Sequence, residues 1–219
     1  GVTASVADDK TEVTKWTYNT KIPSYGATGW WDKSAYKEGM VLGDIWGLQF
    51  DRFLTEDDFN ADGSLKAGLP DQTKVFPAGY QFAPGDVLYK DLDNNGEIVK
   101  QTNTNDKGDL SVIGNALPRL QFGLNLDAAW KGFDISMFFQ GVAKRKLWAA
   151  GNQVLPGFTT GEPFYKGAED YWTPENTDAF YPRPMDYKQS ASGNYSVNDR
   201  YLLNMAYLRL KTFTVGYSL

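Results

Sequence analysis

RLQFGLNLDAAWKGFDISMFFQG, residues 119–141, is the stretch that decides the fold. In its first half Leu120, Phe122, Leu124, Leu126, Ala128 and Trp130 share one parity, and Arg119, Gln121, Asn125 and Asp127 share the other. After Lys131-Gly132 the alternation resumes, with Phe133, Ile135, Met137 and Phe139 set against Asp134, Ser136 and Gln140. Successive side chains of a strand point to opposite faces, so this pattern predicts two strands joined by a tight turn, each with unlike surroundings on its two sides. Periodicity leaves open what covers the apolar side. A soluble sandwich covers it with a protein core; an outer-membrane barrel covers it with lipid and lines a lumen with the polar side.

The bulk composition narrows the classes. The 219 residues suffice for one large domain or two small ones. Aromatic residues at 15% and 22 glycines lean toward a chain rich in strands and turns. The net charge is −5, and Lys144-Arg145-Lys146 is the one basic cluster. Phosphate neutralisation takes clustered Lys and Arg, so a nucleic-acid partner is not expected. Cysteine and histidine are both absent. That removes disulfides, thiolate nucleophiles, Cys-based zinc sites and Ser-His-Asp catalysis. No run approaches the ~18–20 apolar residues of a membrane-spanning helix, whereas a barrel strand needs only about 9–11.

Upstream of the hairpin, TEVTKWTYN (11–19) is β-prone, and VLGDIWGLQFDRFL (41–54) alternates with Leu42, Trp46, Leu48 and Phe50 against Gln49 and Asp51. Thr55 is a candidate cap for a helical turn. A short strand is expected within 73–90. Downstream, residues 142–200 read as a long loop region with a short helix near 167–172. A connection this long counts against a compact soluble domain, while barrels pair short periplasmic turns with long extracellular loops. In AYLRLKTFTVGYSL (206–219), Leu208 and Leu210 lie on one parity and Phe213, Val215 and Tyr217 on the other, so a bulge near Lys211-Thr212 is expected. The start, GVTASVADDK, carries no secretory signal and reads as the middle of something longer; the chain is expected to be a fragment.

Three motifs bear on chemistry. In DLDNNGE (91–97), Asp91, Asp93 and Asn95 alternate, Gly96 permits a sharp bend, and the Glu97 carbonyl supplies a further oxygen, as in a calcium loop. The simple loop fails at its closing position, which is Thr102, with Val99 at the ninth. Asp106 or Asp109 closes it only if residues 99–108 loop out; otherwise the stretch is an Asn/Gly turn that binds nothing. Trp30-Trp31, beside Asp32, could stack on a glycan, but an aromatic belt or loop packing is the favoured reading. Glu56, Asp57 and Asp58 follow a candidate cap and decorate a helix start. Glycoside hydrolysis needs two carboxyls facing each other across a bond, so no enzyme is expected.

At GDVLYKDLDNNGE (85–97) and DLSVIGNALPRLQFGLNLDAAWKGFDISMFFQG (109–141) the chain resembles the SusC/RagA family of TonB-dependent outer-membrane transporters of Bacteroidetes-type bacteria. The resemblance rests on Gly85-Asp86, Tyr89 and Asp91, then Ile113-Gly114, Pro118, Gly123-Leu124-Asn125, Lys131-Gly132-Phe133-Asp134 and Phe139-Gln140-Gly141. YWTPENTDAFYPRP (171–184) and RYLLNMAYLRLKTFTVGYSL (200–219) look like further family segments. The resemblance implies an all-β fold: antiparallel strands of a transmembrane β-barrel, here a partial segment with long extracellular loops. Residues 1–219 would lie within the barrel domain, with 142–200 extracellular, and the signal peptide and plug absent. It also implies the cell outer membrane with its lipid, the TonB complex acting through the absent plug and TonB box, a SusD-like surface lipoprotein, and an oligosaccharide or peptide substrate. Residue by residue, the family's acidic loop falls on Asp91, Asp93 and Asn95, and its closing carboxylate on Asp109, past an insertion of roughly VKQTNTN; the metal implied is Ca2+. The other readings are a soluble β-rich glycan-binding or adhesin module using Trp30-Trp31, and, far behind, a carboxylate glycosidase.

Overall fold

The computed structural model describes residues 1–17, 38–103, 106–149, 151, 153–157, 165–185 and 193–218. Its strands are β1 (Val2–Ala7), β2 (Asp44–Gly47), β3 (Phe50–Phe53), β4 (Val87–Tyr89), β5 (Lys100–Asn103), β6 (Asp106–Gly108), β7 (Ser111–Asn115), β8 (Arg119–Trp130), β9 (Phe133–Lys144), β10 (Lys146–Leu147), β11 (Leu203–Asn204) and β12 (Tyr207–Tyr217). All pairings are antiparallel apart from isolated bridges, and the described helical turns are short 3-10 pieces, so the chain is all-β.

The predicted hairpin is β8–β9. Lys131 (φ 47°) and Gly132 (φ 84°) turn it. Positive φ at both central residues matches the right-handed twist of the flanking strands. β1 and β12 flank the hairpin, giving a four-stranded sheet in the order β1-β8-β9-β12. Along β12 the register with β9 slips between Leu210 and Thr212. The bulge read from the sequence is therefore real, and it returns both apolar sets of β12 to one face.

Register assigns the two faces of this wall. Val6, Phe122 and Gly141 are aligned, as are Ala4, Leu124, Phe139 and Leu210, then Val2, Leu126, Met137 and Phe213, and finally Trp130, Phe133 and Tyr217. The opposite face carries Gln121, Asn125, Asp127, Asp134, Ser136, Gln140 and Arg209. Here Ser136 donates to Asp127 at 2.7 Å, and Arg209 donates to Gln140 at 3.2 Å. The Phe122 ring lies over Gly141, where an added Cβ would meet it at 2.3 Å. The apolar face remains open among the described residues: Trp130 is 71% exposed, Leu208 63% and Phe213 59%. The sheet is open, with free edges on β1 and β12, and the described residues do not close a barrel.

The connections alternate in length. β8 and β9 are joined by the tight turn at one end. At the other end Ala7, Gln121, Val142 and Tyr207 stand side by side. Two long excursions, 8–118 and 145–206, leave from there, and their described parts pack together into one body, here called the outer body. Its main core gathers Leu48, Phe53, Phe76, Val87, Tyr89, Ile98 and Leu110 from the first excursion with Trp172 and Ala179 from the second. A smaller core holds Leu155, Tyr195 and Tyr201. Asp86, 0% exposed, joins the two excursions. It accepts from Arg183 Nε (2.8 Å) and Nη2 (3.2 Å), from the Tyr80 hydroxyl (2.8 Å), the Ala83 N–H (2.9 Å) and Asn194 Nδ2 (3.0 Å). A buried charge persists only when its partners replace the lost water, and Asp86 has that set. Arg200 makes a second tie, lying 4.4 Å from the Phe50 ring centroid and donating to the Ala179 and Phe180 carbonyls at 2.6 and 2.8 Å.

Several expectations shift. Residues 41–54 form two short strands, β2 and β3, whose apolar residues pack inside the outer body. The described part of 11–19 makes a bridge, Glu12 to Val41, but no strand. The long loop begins at 145, because β9 runs through Lys144, and a second excursion of comparable role precedes β8. The helical turns expected after Thr55 and near 167 are the 3-10 turns Glu56–Asp58 and Lys166–Ala168. No described helix is long and apolar enough to cross a membrane.

Candidate functional site

The acidic loop follows β4 and is tied to Asp109, just before β7, and to Asp71. Asn94 (φ 59°) and Gly96 (φ 86°) take left-handed backbone conformations that wrap the chain around Asp91. Asp91 accepts from the Asn95 N–H at 3.3 Å and the Gly96 N–H at 2.8 Å. Asp93 accepts from the Asn95 N–H and side-chain amide, each at 3.1 Å, and the Asn95 side-chain Oδ1 accepts from the Glu97 N–H at 2.8 Å. The Glu97 carboxylate is engaged elsewhere, by Lys74. Glu97 can therefore offer the loop its backbone carbonyl, the role read from the sequence.

Asp109 reaches the same place by the route the sequence required. β5 and β6 pair antiparallel, Lys100 with Gly108 and Asn103 with Asp106, and this pairing makes Val99 and Asp109 neighbours. The Asp109 N–H donates to the Val99 carbonyl at 3.0 Å. Its carboxylate, 0% exposed, accepts the Leu92 and Val99 N–H groups at 2.8 and 2.7 Å. One carboxylate oxygen from each of Asp91, Asp93 and Asp109 lies within 4.8 Å of the others. Burial pushes the Asp109 carboxyl above its ordinary pKa, the two backbone donors pull against this, and the charges of Asp93 and Asp91 add to the rise. Asp91 also loses hydration, but the N–H groups of Gly96, Asn94 and Asn95 together outweigh that and hold it low. Converging hard oxygens with uncompensated mutual repulsion form a donor set suited to a divalent cation.

The other predicted residues divide. Trp30 and Trp31 lie outside the described residues. Of the three adjacent carboxylates, Asp58 is clamped by both terminal nitrogens of Arg52 at 2.6 and 2.7 Å and accepts the Thr55 N–H at 2.7 Å. Glu56 and Asp57 are exposed on the same turn. None faces a second carboxylate across a cleft, and the trio is structural.

A cleft that sequence reasoning missed lies in the second excursion. Tyr165, Tyr171, Tyr181, Tyr195, Pro182 and Pro184 enclose about 360 Å³. Such a volume fits a small ligand, and aromatic faces suit sugar rings. The Tyr181 hydroxyl is anchored on the Val154 carbonyl at 2.9 Å. Burial, with the charge of Asp170 beside it, pushes its pKa up, so it remains a neutral donor. The signal lay in YWTPENTDAFYPRP, but only folding brings Tyr195 and Tyr165 to it.

The described residues thus form an all-β chain whose amphipathic four-stranded antiparallel sheet has one bare face, a tight turn at one end and a folded body at the other. Relatives agree at the family level. The chain is 28% identical over 189 residues to TonB-dependent receptor P3 of Formosa agariphila and 33% identical over 131 residues to TonB-dependent receptor P26 of the same organism. The matches cover 84% and 58% of this chain but 16% and 12% of those proteins, so the chain spans a small part of their length. These similarities support the TonB-dependent receptor family. No protein-family model matches.

Proposed function

We propose that the chain is a stretch of the transmembrane barrel of a TonB-dependent nutrient importer in the outer membrane, and that it takes part in transport and not in catalysis. The observation that carries this reading is the bare apolar face of the wall, continuous across all four strands and ringed by Trp130, Phe133 and Tyr217 at the turn end. A contiguous face of that kind needs a non-aqueous covering, and an aromatic girdle marks a lipid–water interface. The polar face then lines the lumen, and the outer body lies outside the cell. The motifs shared with the SusC/RagA family favour that subtype, with a SusD-like lipoprotein above the outer body and TonB engaged through a plug elsewhere in the protein. An oligosaccharide is the substrate we favour, and the tyrosine-lined cleft is a surface suited to it.

The absence of cysteine from these residues makes a direct test simple. Single cysteines at Asn125 and Asp127 should react with a soluble maleimide in intact outer membranes, and those at Leu124 and Leu126 should not. Equal reaction at both parities would overturn the wall assignment.

The second part of the proposal is a Ca2+ ion held by Asp91, Asp93, Asp109, the Asn95 side chain and the Glu97 carbonyl. Water would complete the about 6–8 oxygens that calcium takes. The ion would neutralise the three carboxylates and fasten the loop to the start of β7. Calcium titration by calorimetry, with Asp109→Asn as the control, tests it; no saturable heat in the unmodified protein would sink it.

A further inference from the structure

We propose that a basic cleft at the junction of wall and outer body is an oxyanion site, built for a sulfate or phosphate ester. The cleft, of about 420 Å³, is lined by Arg119, Lys144, Arg145 and Lys146, with Asn204 beside them; the Asn115 amide at its wall is committed to the Leu42 carbonyl and Asp44. Among the described residues its lining holds four basic side chains and no carboxylate, although the chain as a whole holds 27 acidic residues against 22 basic ones; Asp8, paired with Arg119, and Asp44, 2.9 Å from the Asn115 amide, stand behind the lining. Positive side chains therefore outnumber negative ones at this place.

Arg119 on β8 and Lys144 on β9 stand directly opposite each other in the register. Like charges so placed cost stability. Asp8 engages Arg119 through Nε and Nη2, which orients the guanidinium and offsets one charge. Arg145, which lines the cleft, donates through Nε to the Ala116 carbonyl at 3.1 Å. Its own carbonyl accepts the Met205 N–H at 2.9 Å, which fixes the backbone between Lys144 and Lys146. The Lys146 stem lies across Gly114, where an added Cβ would meet it at 2.9 Å. Neither Lys144 nor Lys146 makes an ion pair among the described residues.

Planar guanidinium and ammonium donors around one concavity recognise tetrahedral oxyanions through charge-assisted bonds. The volume admits the anion together with part of the group that carries it. Arg119 and Lys144 pair at the end of the β8–β9 ladder away from the turn, next to the Gln121–Val142 pair, so the cleft lies where the wall meets the outer body. An ester carried by a solute at that junction is the expected source; a lipid phosphate headgroup is the other.

The test uses the full protein in neutral detergent, titrated with sodium sulfate, sodium phosphate and sodium chloride at matched ionic strength and followed by thermal unfolding. Galactose 6-sulfate and a short-chain phosphatidic acid form the two source arms. Sulfate and phosphate should stabilise saturably and chloride should not. Lys144→Gln with Lys146→Gln should weaken sulfate binding by about tenfold or more, while Lys66→Gln with Lys90→Gln leaves it intact. Lys144→Glu, opposite Arg119, should raise the melting temperature without anion and abolish the response to sulfate. Response to the sulfated sugar assigns the site to a solute, and response to the phospholipid assigns it to a headgroup; either supports an oxyanion site. Equal effects of chloride and sulfate, or an unchanged sulfate response in the Lys144/Lys146 double variant, would overturn it.

Discussion

Replacing Leu124 by arginine probes what covers the wall. β8 has 12 residues; at about 3.3 Å each it is about 40 Å long, and a tilt of about 40° reduces its rise to about 30 Å, the thickness of a bilayer core. Leu124 is the sixth residue of β8, close to the midplane, and is aligned with Ala4, Phe139 and Leu210 on the apolar face. Arginine there should cost about 2–4 kcal/mol, falling to about 0–1 kcal/mol for Phe133→Arg beside the turn. Asn125→Arg, one residue along on the polar face, should stay within about 0.5 kcal/mol. The assay is reversible unfolding from lipid vesicles in guanidinium chloride, followed by tryptophan fluorescence. A protein core penalises charge by burial, whereas lipid penalises it by depth. Equal costs at Leu124 and Phe133, or an Asn125→Arg cost as large as that of Leu124→Arg, would refute the lipid-facing assignment.

Three further outcomes follow from the outer body. Asp86→Ala strands Arg183 without its partner and should destabilise the body by about 3–5 kcal/mol, with Asp86→Asn/Arg183→Gln recovering part of the loss; limited proteolysis and denaturant titration would show both. Arg52 first, then the Thr55 N–H, hold the Asp58 carboxyl down at about 2. A depressed folded pKa gives stability that is complete above the unfolded value of about 3.9 and disappears as pH falls toward about 2. Acid titration should show that loss, and Arg52→Gln should remove it. Because the Asp109 pKa is raised, calcium affinity should begin to decline at a higher pH than in a site of ordinary carboxylates; calorimetry at several pH values reads where the decline begins.

Much of the wall was legible because a two-residue period and a parity shift are local. Phe122 through Trp130 and Phe133 through Phe139 state their faces directly, and the opposed parities of Leu210 and Phe213 demand the bulge. VLGDIWGLQF alternates just as well, yet Leu48 is buried in a protein core, since alternation records unlike surroundings and not which solvent provides them. Asp109 could be named only through the resemblance or through a loop-out that spacing alone cannot decide; the β5–β6 pairing decides it. The tyrosine cleft and the Arg119–Lys144 junction were illegible because their members come from distant segments joined by tertiary pairing.

The shared core of the two excursions also fixes an order of assembly. Phe50 bonds to Asp199 across 149 positions, and Asp86 to Arg183 across 97. The β8–β9 hairpin, in contrast, closes on residues that are near neighbours in the chain. Contacts so remote form late, because the intervening chain must be gathered before they return any free energy. The first excursion therefore lacks Trp172 and Ala179 from its core until the hairpin and the segment that carries them are in place. Neither excursion can be exchanged for a foreign loop without leaving its counterpart unfinished, so the two should be inherited as one unit.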